Sequence, residues 1–142
     1  MSDQPQEEAD GVDVDDVNIF LSETWGDRVR ALQVGTERAV VEMSLREHDL
    51  RPGGVVSGPS QFEVADSALY VLVFGALRRV EPMALTSELS IRFLRPAMGE
   101  VIRARATVER VSRRSLVGTV HVWMDDDERV VTATAQGTYV LP

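Results

Sequence analysis

The chain has 142 residues, 44% of them apolar and 27% charged, which fits one globular domain with a sizeable core. It has no cysteine, which excludes a disulfide framework, a Cys-ligated metal and a thiol nucleophile. The net charge of -8 is local: residues 1–16 hold seven of the 23 acids and no base, and the rest of the chain, with 16 acids against 15 bases, is nearly neutral.

The acidic start argues against a nucleic-acid partner at that end, and residues 1–12 read as a disordered acidic leader before a single domain over 13–142. No export signal is visible, since such a signal begins basic and then turns apolar, so a cytoplasmic protein is expected. From Asp13 onward, Val14, Val17, Phe20 and Leu21 form an apolar stripe on a short helix ending near Trp25 and Gly26, expected to lie on the body as a lid. Arg28 to Val34 and Arg38 to Leu45 alternate around a Gly35-Thr36-Glu37 turn and read as a hairpin. A loop with Gly53 and Gly54 follows.

Ser57 suits an N-cap and Pro59 a first helical turn, so a helix starts here. From Phe62 to Leu77 the residues leave no broad polar face, which predicts a helix wrapped by other structure. Its length of about 30 Å is marginal for a membrane span. Glu63, Asp66, Ser67 and Gly75 within it, and the strands around it, favour a core helix instead. Burying Asp66 is costly unless it is paired or protonated.

Four strands follow, over Leu85–Arg95, Glu100–Val111, Leu116–Met124 and Arg129–Val140, each with period-2 alternation. Leu89, Ile91 and Phe93 share one face of the first, and Val131, Ala133 and Ala135 one face of the last. About six antiparallel strands and one apolar helix predict an α+β fold in which a curved sheet wraps the helix.

Two stretches carry a family resemblance. Gly58 is followed eight residues later by Asp66 in Val64-Ala65-Asp66-Ser67-Ala68, and Thr86-Ser87-Glu88-Leu89-Ser90-Ile91-Arg92-Phe93-Leu94-Arg95-Pro96-Ala97 matches the pattern T-x-x-L-x-I-x-F-L-x-P-A. In these the chain resembles the hotdog-fold acyl-CoA thioesterases of the phenylacetic-acid-degradation type, over roughly Val29 to Tyr139. The resemblance implies hydrolysis of an acyl-CoA thioester, with Asp66 as nucleophile or general base, Gly58 N–H polarising the carbonyl and Thr86 orienting the attacking water. It implies no cofactor beyond the coenzyme A of the substrate, no membrane partner, and a homodimer whose two copies complete the site, with assembly into a homotetramer left open. A helix N-terminus and a carboxylate on an apolar helix suit this chemistry independently of the family.

Three positions depart from the pattern. Arg51 stands where the family has Asn, Gln or His, Ser57 replaces a His, and Pro59 replaces a second Gly. Arg51 is expected either to pair with Asp66 or to anchor an acidic acyl group. Glu63 reads as a second acid of the cleft or, more economically, as a solvated side chain. Arg92, Arg113 and Arg114, with Arg95, are candidates for the coenzyme A phosphates or simply guards of a sheet edge. His48 and His121 lack metal-ligand spacing, and Asp125 to Glu128 lacks that of a calcium loop. A catalytically silent dimer that binds acyl-CoA is the alternative, and Arg51 and Ser57 favour it. A dehydratase would need a His near the helix, and none falls between His48 and His121.

Overall fold

A computed structural model describes residues 11–142, so nearly all of the expected acidic leader lies outside the described residues. Two helices and six strands follow in the order α1 (Val14–Trp25), β1 (Val29–Val34), β2 (Arg38–Ser44), α2 (Gly58–Leu77), β3 (Leu85–Phe93), β4 (Val101–Val111), β5 (Ser115–Met124) and β6 (Ala133–Val140). The strands form one antiparallel sheet in the order β1-β2-β4-β5-β6-β3, and α2 packs on its concave face. This is the α+β hotdog architecture. No described helix is long and apolar enough to cross a membrane.

Both ends of α2 are set locally. Ser57 accepts from the Ser60 N–H, and Pro59 occupies the first turn, where its missing donor costs nothing. At the other end Arg78 takes a left-handed conformation and returns its N–H to Gly75 and Phe74. The middle of the helix rests on a hollow. Gly118 of β5 and Gly137 of β6 pair directly across the ladder, and a Cβ on either would meet a Leu69 methyl at 2.8 Å. Two glycines thus make room for one leucine.

α1 begins at an Asp13 cap and buries Val17 and Leu21. Asn18 clamps it to β1, accepting from Ala31 N–H at 2.7 Å and donating to Ala31 O at 2.9 Å.

Three expectations are corrected. α2 is not covered on all sides: Pro59, Phe62, Glu63, Asp66, Ser67 and Tyr70, spaced three or four apart, form an open or half-buried stripe. β3 does not have one dry face either. It lies at the sheet edge, only Leu89 and Ile91 are partly buried, and Phe93 is 50% exposed. β6 also starts later than expected, at Ala133, with Thr132 before it bonding Val122 O through both N–H and hydroxyl.

Gly75 sits where α2 crosses the β1–β2 turn, and a Cβ there would overlap the Gly35 carbonyl oxygen. Gly75→Ala is therefore expected to destabilise the protein by about 1–3 kcal/mol, although alanine is the better helix former. Urea melts of the two proteins measure this, and an unchanged or raised midpoint would show that the turn can yield.

Candidate active site

Asp66 stands on the open stripe of α2. Its Oδ1 accepts from Thr86 Oγ1 at 2.8 Å and from Tyr139 Oη at 2.7 Å, and Tyr139 Oη also lies 3.1 Å from the Asp66 main-chain oxygen. Oδ2 has no hydrogen-bond partner among the described residues. A carboxylate oriented through one oxygen and open at the other can act as a base or nucleophile on a group bound beside it.

Thr86 reaches Asp66 because of a β-bulge. Thr86 pairs with Tyr139, Leu89 with Gly137, Ile91 with Ala135 and Phe93 with Ala133, so Ser87 is the extra residue of β3. Counting back from Leu89 by twos would put Ser87 and Leu85 inward. The bulge turns Thr86 inward instead, beside Tyr139. Tyr139 is 3% exposed, and burial, with the charge of Asp66 beside it, pushes its hydroxyl pKa well above the ordinary phenol value. It remains a proton donor through the physiological range.

Asp66 and Thr86 line a cleft of about 940 Å³ that runs along α2 under α1, between the 46–57 loop and the segment before β3. Trp25 and Tyr70 form part of an apolar wall, and Arg46, His48 and Arg51 line the loop side.

Beneath that loop is an ionic clasp. Asp49, only 2% exposed, accepts from Arg28 at 2.7 and 2.8 Å, from Arg46 N–H at 2.7 Å and from Ser60 Oγ at 2.7 Å. Arg28 also donates to Glu63 at 3.0 and 3.2 Å and to Ser44 O at 2.9 Å. The Arg28 guanidinium, helped by Arg46 N–H and Ser60, holds the Asp49 carboxyl far below the usual carboxylate range. In turn Asp49, then Glu63, raises the Arg28 pKa further. Ser57 N–H donates to Asp49 O at 2.8 Å, so one aspartate ties both the N-cap and the first turn of α2 to Arg28 at the start of β1.

Residues 53–131, more than half of the chain, match the family described as the thioesterase superfamily. The chain belongs to that superfamily. Among solved structures, a candidate thioesterase from Silicibacter sp. is 27% identical, with 92% of each chain covered and a TM-score of 0.80. A conserved protein from Pseudomonas aeruginosa is 26% identical over 84% of this chain and 90% of its own, with a TM-score of 0.70. A mutant phenylacetic acid degradation protein from Thermus thermophilus, 22% identical over 87% of this chain and 99% of its own with a TM-score of 0.67, shares the fold. No curated protein is significantly similar in sequence.

In this thioesterase-superfamily chain, the residues singled out from sequence divide into two sets. Asp66, Thr86, Arg51, Ser57 and Glu63 line the one cleft. Gly58, Arg92, Arg113 and Arg114 do not line it. Gly58 opens α2 with the Phe93 ring 3.3 Å from where its Cβ would stand, and Arg92 pairs with Thr134 in the middle of β3. Arg113 and Arg114 form the β4–β5 turn, next to the start of β3 and the end of β6. Arg51 makes no ion pair with Asp66, whose Oδ1 is taken by two hydroxyls, and Glu63 is bound to Arg28 rather than merely solvated.

Sequence reasoning missed Tyr139 and Asp49. Tyr139 had a signal, since a phenol at an inward position of β6 needs a buried partner. Asp49 had none, because its partner Arg28 lies 21 residues away.

The lowered Asp49 pKa adds stability that is complete above the ordinary Asp value of about 3.9 and is lost as the pH falls below it. Asp49→Asn is expected to cost about 3 kcal/mol at pH 7 and to flatten the acid limb of stability between about pH 4 and 2. Urea melts across that range provide the measurement. An acid limb as steep as that of the wild type would mean that other carboxylates control it.

Proposed function

We propose that the protein is an acyl-CoA thioesterase in which Asp66 acts on the thioester directly or through water, with Tyr139 and Thr86 as its positioning partners. The observation that carries this reading is the Asp66 carboxylate, tethered through Oδ1 and open at Oδ2, in a large cleft of a thioesterase-superfamily fold. In the water route Oδ2 takes a proton, the hydroxide attacks the carbonyl carbon, and the C–S bond breaks to release the thiol. In the nucleophilic route Oδ2 attacks the carbonyl carbon and the C–S bond breaks to expel the thiolate; water then cleaves the mixed anhydride to free acid and the Asp66 carboxylate, and its proton goes to the thiolate.

The carbonyl oxygen needs a donor of its own, and the N-terminus of α2 offers the Gly58 N–H, since Pro59 has none and the N–H groups of Ser60 and Gln61 are held by Ser57. Eight residues of helix separate Gly58 from Asp66, about 12 Å along the axis. A carbonyl within hydrogen-bonding reach of one is out of reach of the other. The site is therefore completed by a second copy, which brings its own Gly58 to Asp66. β3 is an unpaired edge that carries Leu85 at 61% exposure and Phe93 at 50%, a surface suited to pairing with the same strand of that copy.

Asp66→Asn is expected to lower kcat on a hydrolysed acyl-CoA by about 100- to 10,000-fold, whereas Tyr139→Phe, which keeps the ring, costs about 10-fold. A panel of short, medium, long and aryl thioesters assayed for free thiol identifies the substrate. Full activity in Asp66→Asn would remove the assignment. Thermal stabilisation by acyl-CoA without turnover would instead favour a silent binding protein, the reading that the departures at Arg51 and Ser57 support.

A further inference from the structure

We propose that Arg51 is the specificity determinant of the cleft, its guanidinium receiving a planar pair of anionic oxygens on the bound thioester. Those oxygens belong either to a carboxylate at the far end of the acyl group or to a phosphate of coenzyme A. The inference rests on the thioesterase reading of the same cleft.

Three arginines line the cleft together with three carboxylates, Asp49, Glu63 and Asp66. Arg28 cannot take a ligand, because all five of its N–H groups are already used, by Glu63, Asp49 and Ser44 O. The same bonds occupy Asp49 and Glu63, and Thr86 and Tyr139 hold Asp66. Arg46 and Arg51 are left over. Among the described residues neither guanidinium makes a hydrogen bond or an ion pair, and it is Arg51 that stands beside the tight turn of the loop.

Its backbone is nonetheless firmly held. Arg51 N–H donates to Val55 O at 2.7 Å, Gly54 N–H donates to Arg51 O at 2.9 Å, and Leu50 pairs with Val56 across the neck of the loop. Pro52 keeps Arg51 extended, and Gly53 and Gly54, with φ of +93° and +84°, make the tight turn. The buried clasp at Asp49 anchors the whole segment. A fixed backbone thus presents an uncommitted fork in the wall that faces Asp66, where recognition of a planar oxyanion can be bidentate. Three arginines balance three carboxylates in the lining, so the discrimination is local to this fork and does not depend on a long-range field.

The test compares wild type with Arg51→Gln on a neutral acyl-CoA, on the ω-carboxy acyl-CoA of the same chain length, and on the pantetheine thioesters of both. A fall in kcat/KM of about 10- to 100-fold, carried by KM and confined to the ω-carboxy substrates, assigns the acyl carboxylate. The same fall on both coenzyme A thioesters, absent with pantetheine, assigns the phosphate. No fall on any substrate, or an equal fall that includes the neutral pantetheine thioester, overturns the proposal. If wild type hydrolyses none of them, the thioesterase reading has failed by itself. Calorimetric binding of coenzyme A and of the ω-carboxy thioester to both proteins then decides the role of Arg51: weaker binding to Arg51→Gln supports it, and equal or absent binding overturns it.

Discussion

The axial rotation of α2 is the constraint from which the candidate site follows. Leu69 enters the hollow left by Gly118 and Gly137, two adjacent positions without Cβ atoms, and this packing holds the helix at its observed rotation. Asp66 lies three residues earlier, on the neighbouring face, and is thereby turned towards the end of the sheet where β3 and β6 pair. Tyr139, two residues beyond Gly137 on the same inward face, meets it. Packing thus sets the direction of the carboxylate, and the two hydroxyls refine it.

The polar groups of the cleft divide into those committed to architecture and those left for a ligand. The Arg28, Asp49 and Glu63 clasp is saturated. It occupies the place where β1, the end of β2, the 46–57 loop and the first turns of α2 converge. Breaking one partner of such a pair leaves a desolvated charge, so its contribution is mainly to fix one arrangement of the loop and the helix tip. That tip bears the Gly58 N–H proposed to polarise a carbonyl. Asp66 and Arg51, by contrast, retain unused bonding capacity.

Pro59, Glu63, Asp66, Ser67 and Tyr70 of α2 remain open or half-buried along the cleft and the β3 edge is unpaired, whereas α2 is covered from Val71 to Gly75. A single protomer thus leaves its most exposed apolar side chains beside its candidate site. Under the function proposed above, a second copy would cover them and would bring the Gly58 that lies outside the cleft of one copy.

The apolar run from Phe62 to Leu77, the Ser57 and Pro59 start, and the alternation of six strands determined by themselves that a sheet would wrap one helix, because burial patterns and capping are local properties of a chain. They also marked Asp66 as the acid needing a partner. The partner, Tyr139, could not be read off, since it lies 73 residues away and is brought near only when β6 pairs with β3. Nor could the bulge at Ser87 be seen. Strict alternation back from Leu89 points Thr86 to solvent, and only the two-against-one pairing with β6 reverses it. The clasp at Asp49 and the unpaired state of Arg51 depend in the same way on how distant segments converge. Residue type and spacing determined which groups were available, and tertiary packing decided which of them neutralise each other and which remain for chemistry.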